Sequence, residues 1–157
     1  MKTLILYASK YGATEKIAQH IAKIIAGAVI CDLKQKDIPE LSQFDCVIIG
    51  SSIYAGAIRK ESKTFVSQNV DELCEKKIGL FLSGFETAKE DEVFNKNFPP
   101  QLLQAAYAKA FLGGIFDPKK VGAMERFIIK AAMKQTDYID SIDNEKTIKF
   151  AQTMKDS

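Results

Sequence analysis

Histidine and cysteine, which often supply nucleophiles, proton-transfer groups and metal ligands, are scarce in this sequence. The single histidine, His20, falls on the polar side of an expected helix, and no neighbouring residue could complete a catalytic dyad or a metal site with it. The three cysteines, Cys31, Cys46 and Cys74, have no C-x-x-C spacing, and we interpret them as free structural thiols. These absences argue against most hydrolase and zinc mechanisms.

Long apolar runs and blocks of consecutive basic residues are also missing. The first absence argues against a membrane span, and the second argues against a protein that follows a nucleic-acid backbone. The opening Met1-Lys2-Thr3-Leu4 leads into a strand pattern rather than a signal peptide, so we expect a cytoplasmic protein. The 157 residues, 46% of them hydrophobic, are expected to form one domain over residues 1–157.

Apolar runs typical of buried strands alternate along the chain with helical patterns. Parallel strands joined by crossover helices form a sheet that is covered on both faces, so this alternation predicts an α/β fold. The expected strands are Thr3–Tyr7, Ala28–Leu33, Asp45–Gly50, Ile78–Leu82 and Lys109–Phe116. The expected helices run from Thr14 to Gly27, from Lys60 to Leu73, in pieces from Glu86 to Tyr107 around Pro99-Pro100, and from Asn144 to Lys155.

The candidate binding site consists of three stretches that follow predicted strands, because ligands of open parallel sheets bind beyond the carboxyl ends of the strands. All three combine hydroxyl groups, glycines and aromatic rings, without a lysine–carboxylate or cysteine–histidine pair. They are Ser9-Lys10-Tyr11-Gly12-Ala13-Thr14, Ser51-Ser52-Ile53-Tyr54-Ala55-Gly56 and Ser83-Gly84-Phe85-Glu86.

The first stretch leads into a helix, and it has the features of a phosphate-binding loop. Gly12 allows a tight turn, and the first N–H groups of the helix have no intrahelical partners and favour an anion. The hydroxyls of Ser9 and Thr14 can add two more donors. The alternative interpretation is an ordinary strand–turn–helix connection with no ligand.

The same stretch resembles the flavodoxin phosphate-binding signature [ST]-x-T-G-x-T, with Tyr11 in place of the second threonine. The resemblance extends over essentially the whole chain, and it implies a flavodoxin-like doubly wound sheet of five strands in the order 2-1-3-4-5 that binds FMN. It implies that Tyr54 lays its ring on the flavin and that Ala55 or Gly56 presents a backbone group to the flavin N5 edge. It also implies that Ser83-Gly84-Phe85-Glu86 contacts the pyrimidine end, where Phe85 covers the second face.

A narrower resemblance is to the group that includes the menaquinone-dependent protoporphyrinogen dehydrogenases of bacteria. It rests on the opening Met1-Lys2-Thr3-Leu4-Ile5-Leu6 and on residues 124–134, which look like that group's R-F-x-I-K-x-x-M-K segment. This resemblance implies a flavin-dependent oxidoreductase that oxidises protoporphyrinogen and uses a quinone acceptor.

Residues 119–134 form a basic amphipathic pattern. Between Asp117 and Lys134 there are five basic residues and two acidic ones, whereas the rest of the chain is nearly neutral. Such a helix can pack on its own domain, bind a partner or lie at a membrane interface. Peripheral contact with the inner face of a membrane is the hypothesis that suits a quinone-linked enzyme.

Three functions therefore stay open after the sequence is considered. The first is a small flavin oxidoreductase with a quinone or other small-molecule acceptor. The second is a flavodoxin-type electron carrier between protein partners, which the net charge of +2 disfavours because such carriers are usually strongly acidic. The third is an interaction domain without flavin, for which Tyr11 leaves room.

Overall fold

A computed structural model describes residues 1–86, 88–133 and 137–156 of the chain. Its main sheet contains β1 (Thr3–Ala8), β2 (Val29–Asp32), β3 (Cys46–Tyr54), β4 (Ala57–Ile58), β5 (Lys77–Ser83) and β6 (Ala106–Phe111). Five of these strands are parallel and lie in the order β2-β1-β3-β5-β6, while β4 pairs only with β3. Without β4, this is the order 2-1-3-4-5, and the predicted α/β fold class is confirmed.

Helices cover both faces of the sheet, which explains why its central strands are continuously apolar. Consecutive side chains of β1 alternate between two core clusters, with Leu4 and Leu6 in one and Ile5 and Tyr7 in the other. The helices are α1 (Ala13–Ile24), α2 (Lys60–Cys74), α3 (Glu90–Asn97), α4 (Pro100–Ala105), α5 (Ala123–Met133) and α6 (Asn144–Lys155). The first cluster contains side chains of α2, α3 and α4, and the second contains those of α1 and α6.

The last parallel strand differs from the prediction, which placed it at Lys109–Phe116. Strand β6 begins earlier and ends before the two glycines. The chain turns at Gly113, whose φ is +80° and where a Cβ atom would lie 2.0 Å from the carbonyl oxygen of Ser141. The following residues form β7 (Ile115–Phe116), which pairs antiparallel with β8 (Ile139–Asp140) in a separate small sheet.

Strand β3 also differs from the prediction, which ended it at Gly50. Ser51 and Ser52 continue the strand and pair with Leu82 and Ser83 of β5. The chain then reverses and returns as β4, so four of the six residues of the second predicted loop are the end of a strand. The helical pieces expected between Glu86 and Tyr107 are α3 and α4, although residues 106 and 107 belong to β6.

The three cysteines are free, with Cys31 and Cys46 buried and Cys74 half-buried. Burial raises the pKa of the Cys31 and Cys46 thiols, which therefore stay protonated and unreactive at neutral pH. Burial, together with the carboxylates of Glu15 and Asp32, raises the pKa of Tyr7 to about 12. In the part of the chain that the structure describes, no helix has the length and apolar character needed to cross a bilayer.

Candidate functional site

A cavity of about 800 Å³ opens at the carboxyl ends of the parallel strands. The three predicted stretches meet in its wall, because β1, β3 and β5 are neighbours in the sheet and end at the same edge. The predicted residues that line it are Ser9, Lys10, Tyr11, Ala13, Thr14, Ser52, Ile53, Tyr54, Ala55, Gly56, Ser83, Gly84, Phe85 and Glu86. The other two predicted residues, Gly12 and Ser51, do not line the cavity.

Gly12 and Ser51 have local roles instead. Gly12 is the N-cap residue of α1, and its φ of +97° gives the left-handed conformation that the turn requires. Ser51 is fully buried, and its hydroxyl accepts a hydrogen bond from the backbone N–H of Arg59 at 3.0 Å. Its side chain therefore points to the start of α2, and contact of Ser51 with a ligand stays a prediction.

The first turn of α1 offers hydrogen-bond donors to the cavity. Within the described chain, no side chain caps this helix, which begins at Ala13 beside the cavity. The Ser9 hydroxyl oxygen accepts from the N–H of Gly12 at 2.9 Å, so its own proton remains available for another acceptor. An uncapped N-terminus with an adjacent hydroxyl is suited to an anion such as a phosphate group.

Thr14 and Ser83 connect the first and third stretches. Their hydroxyl oxygens are 2.6 Å apart, and both residues are fully buried by the protein. Either hydroxyl can be the donor, and the pair uses only one of its two protons in this bond. One hydroxyl proton is thus left for a further acceptor beside the first turn of α1.

Lys10 brings a positive charge to the same region. Its ammonium group forms an ion pair with Glu125 of α5, and it lies 4.9 Å from the ring centroid of Tyr54 and 5.2 Å from that of Tyr11. Lys34 donates to the backbone oxygen of Ser9 at 2.8 Å and so also holds the loop. Lys10 therefore links the loop, the second stretch and α5.

The second stretch ends in a tight hairpin between β3 and β4. Ile53 pairs with Ile58 and Tyr54 with Ala57, so that the two turn residues are Ala55 and Gly56. Their φ values of +49° and +76° are typical of a type I′ turn. Tyr54 lines the cavity and is 39% exposed, with the Lys10 ammonium over its ring.

The third stretch is held closely by its neighbours. The N–H of Gly84 donates to the backbone oxygen of Gly113 at 3.0 Å, so this group already has a partner within the protein. A Cβ atom on Gly84 would lie 2.8 Å from the backbone oxygen of Ile53, and one on Gly114 would lie 2.7 Å from the Gly84 Cα. Phe85 follows as a half-buried residue of the cavity wall.

The sequence analysis missed the far wall of the cavity, to which β6, β7, α3 and the turn before α5 contribute. Most of this wall is apolar, whereas α3 adds charged side chains. These residues come together only through contacts distant in sequence, and the adjacent glycines at 113 and 114 were the one local signal. The additional lining residues are Ala88, Glu92, Val93, Lys96, Phe111, Gly113, Ile115, Phe116, Val121 and Ser141.

A doubly wound parallel sheet with an apolar cavity and an uncapped helix N-terminus at its carboxyl edge defines an α/β protein whose cavity is suited to a phosphate-bearing ligand. The family model described as flavodoxin domain matches residues 4–143, and the chain belongs to this family. A comparison with curated proteins gives no match.

Solved structures with the same fold include several flavodoxins, all at low sequence identity. Oxidised flavodoxin 1 from Bacillus cereus is 19% identical, with 98% of this chain and 97% of that chain covered and a TM-score of 0.56. An archaeal flavodoxin is 13% identical, with coverages of 99% and 96% and a TM-score of 0.57. A flavoprotein in complex with FMN from Lactobacillus acidophilus is 17% identical, with coverages of 72% and 91% and a TM-score of 0.50.

Proposed function

We propose that this protein binds FMN non-covalently and transfers electrons through it. The observation that carries the proposal is that the uncapped start of α1 and the partly exposed Tyr54 lie together in one apolar cavity. A cavity of about 800 Å³ falls within the usual range of about 300–1,000 Å³ for cofactor sites. The FMN complex of the Lactobacillus acidophilus flavoprotein, which shares the fold, supports this choice of cofactor.

The residues of the cavity divide into two groups with different tasks. Ser9, the first turn of α1 and the Thr14–Ser83 pair would hold the phosphate with neutral donors. Tyr54 and Phe85 would enclose the flavin ring between aromatic surfaces, and the apolar far wall excludes water from it. When bound, a flavin supplies the redox chemistry, so the protein's tasks are binding, orientation and electrostatics.

The first experiment is a visible absorption spectrum of the purified protein before and after incubation with FMN. We expect flavin bands that survive gel filtration, with about one FMN per chain. The Tyr54→Ala variant is expected to retain the fold but lose about 1–3 kcal/mol of binding free energy, the usual contribution of one stacked aromatic ring. A well-folded wild-type protein that remains colourless after incubation would exclude this function and favour an interaction domain without flavin.

The narrower activity is oxidation of protoporphyrinogen with a quinone acceptor, and it rests only on the resemblance of residues 1–6 and 124–134. Lys134 lies outside the described residues. Anaerobic assays of the FMN-loaded protein with protoporphyrinogen and menaquinone test this hypothesis. The alternative is a carrier between redox proteins, for which reduction by a flavodoxin reductase without turnover of protoporphyrinogen is the expected result.

We also propose that α5 contacts an anionic membrane surface. Met124 and Phe127 are 77% and 72% exposed, which is unusual for large apolar side chains on a surface helix. Lys119, Lys120 and Lys130 are exposed nearby, so the apolar side chains lie within a basic region that complements anionic lipid.

A vesicle co-sedimentation assay tests the membrane proposal. We expect binding to vesicles that contain anionic lipid at low salt, weaker binding at high salt, and no binding to neutral vesicles. Replacing both Met124 and Phe127 with serine should weaken binding at least tenfold, since burial of each side chain contributes about 1.5–3 kcal/mol. Ile148→Ser on α6, which is also exposed, is the matched control. Equal sedimentation of the wild type and the double variant would contradict the proposal.

A further inference from the structure

The hairpin turn at Ala55 and Gly56 is held by a residue that lies outside the cavity lining. Asn97, the last residue of α3, donates from Nδ2 to the backbone oxygen of Gly56 at 3.0 Å. Its Oδ1 accepts from the N–H of Ile58 at 3.0 Å. The same Nδ2 donates to the backbone oxygen of Val93 at 2.8 Å, which fixes the side chain to its own helix.

These contacts determine the orientation of the Asn97 amide. The backbone oxygens of Gly56 and Val93 face Nδ2, and the N–H of Ile58 faces Oδ1. Rotating the amide by 180° would place two acceptors against Oδ1 and a donor against Nδ2, so all three hydrogen bonds would be lost. Asn97 therefore bonds to one side of the turn through its donor and to the other side through its acceptor. The Gly56 carbonyl is directed towards α3.

The turn itself is in a conformation that its sequence disfavours. Ala55 has a φ of +49°, and this left-handed conformation is unfavourable for a residue with a Cβ atom because the Cβ comes too close to the following carbonyl oxygen. Type I′ turns prefer asparagine or glycine at this position. The neighbouring Lys96 adds to the packing, because a Cβ on Gly56 would lie 2.8 Å from its Nζ atom. A strained turn that persists needs support from its surroundings, and Asn97 supplies hydrogen bonds on both sides.

We propose that Asn97 is a positioning residue of the cofactor site. It holds the Ala55–Gly56 turn and the adjacent Tyr54 in the conformation that contacts the flavin. This inference rests on the proposed FMN function. Asn97 itself does not line the cavity, so it acts through the turn. Its effect is both on affinity and on the environment of the bound flavin, because the backbone dipoles of the turn lie at the cavity wall.

The test compares Asn97→Ala and Asn97→Asp with the control Asn95→Ala, which changes an exposed asparagine on the same helix. The readouts are the FMN dissociation constant, the visible spectrum and midpoint potential of bound FMN, and the melting temperature of the protein without FMN. We expect Asn97→Ala to weaken binding about tenfold, the equivalent of one net hydrogen bond. We also expect it to shift both the spectrum and the potential, whereas Asn95→Ala changes none of them.

Asn97→Asp distinguishes the hydrogen bond that Asn97 donates to Gly56 from the one that it accepts from Ile58. Its carboxylate still accepts from Ile58 but cannot donate to the Gly56 oxygen, so FMN binding is expected to be weakened at least as much as by Asn97→Ala. The added negative charge is expected to lower the midpoint potential below that of Asn97→Ala. If Asn97→Ala does not fold, the double variant Ala55→Gly/Asn97→Ala is measured, because glycine adopts the left-handed conformation without strain. We expect that double variant to fold and to bind FMN more tightly than Asn97→Asp.

The outcomes distinguish the inference from the function on which it rests. A wild-type protein that binds FMN, with Asn97 variants identical to it in affinity, spectrum and potential, would overturn the positioning role alone. Weaker binding without any change in spectrum or potential would also overturn it, since a purely structural role would give that result. A folded wild-type protein that binds no FMN would overturn the proposed function and this inference with it.

Discussion

Replacing Gly50 with alanine is expected to lower the free energy of unfolding by at least about 3 kcal/mol, the upper part of the usual range for an overpacked core. Gly50 lies in the middle of β3, where it pairs with Tyr7 of β1 and Phe81 of β5. The ring of Phe81 occupies the space where the side chain would be, and a Cβ atom would lie 2.0 Å from its Cζ atom.

The Phe81 ring has little room to move away. It is fully buried and packs edge-to-face on Phe150 of α6, with 6.1 Å between ring centroids. Urea denaturation of Gly50→Ala measures the effect, and Gly122→Ala is the matched control because a Cβ at Gly122 meets nothing within 4 Å. Equal stability of the two variants would mean that Phe81 can leave the position described here.

The second large effect expected is discrimination between FMN and riboflavin, which lacks the phosphate. We expect FMN to bind about a hundred-fold more tightly or better, since two hydrogen bonds to a charged group contribute about 1.5–3 kcal/mol each. The donors are the uncapped first turn of α1 and the hydroxyls of Ser9 and the Thr14–Ser83 pair. Titration of the protein without flavin with each ligand measures the ratio.

Two variants assign this discrimination to the phosphate end. Ser9→Ala is expected to weaken FMN binding about tenfold through the loss of one such bond, with riboflavin binding unchanged. Tyr54→Ala is expected to weaken both ligands equally, because the ring lies at the part of the cavity assigned to the flavin. If Ser9→Ala weakened riboflavin as much as FMN, the phosphate would not bind at this loop.

The central sheet could be predicted from the sequence because its strands carry continuous apolar runs. Such runs arise where both faces of a strand are buried, and they identified β1, β3 and β5 without reference to any contact distant in sequence. The prediction failed at the edge, where β6 alternates between exposed and half-buried residues and only Ala110 is buried. An edge strand is less buried, so its sequence need not be continuously apolar and its ends are hard to recognise. The apolar residues that follow it, Ile115 and Phe116, were therefore wrongly assigned to the same strand.

The candidate site was predictable to the extent that it consists of strand ends. Neighbouring parallel strands bring Ser9, Tyr54 and Phe85 to one edge whatever their separation in sequence, which is why these residues line one cavity. Asn97 and Val121 could not be found in this way. Their positions depend on how α3 and the turn before α5 pack, and a single asparagine on a polar helix carries no local signal for its partners.

The pairing of β7 with β8 has a consequence for how the protein can vary. Ile115 lies opposite Asp140, so the excursion of the chain between these strands, residues 117–138, begins and ends at two paired strands. The entropy cost of closing such an excursion rises by only about 0.6 kcal/mol when its length doubles. The excursion, which includes α5, can therefore be lengthened, shortened or exchanged at little cost to the sheet. Val121 and Glu125 are the positions within the excursion that the cavity constrains, since Val121 lines the cavity and Glu125 forms an ion pair with Lys10.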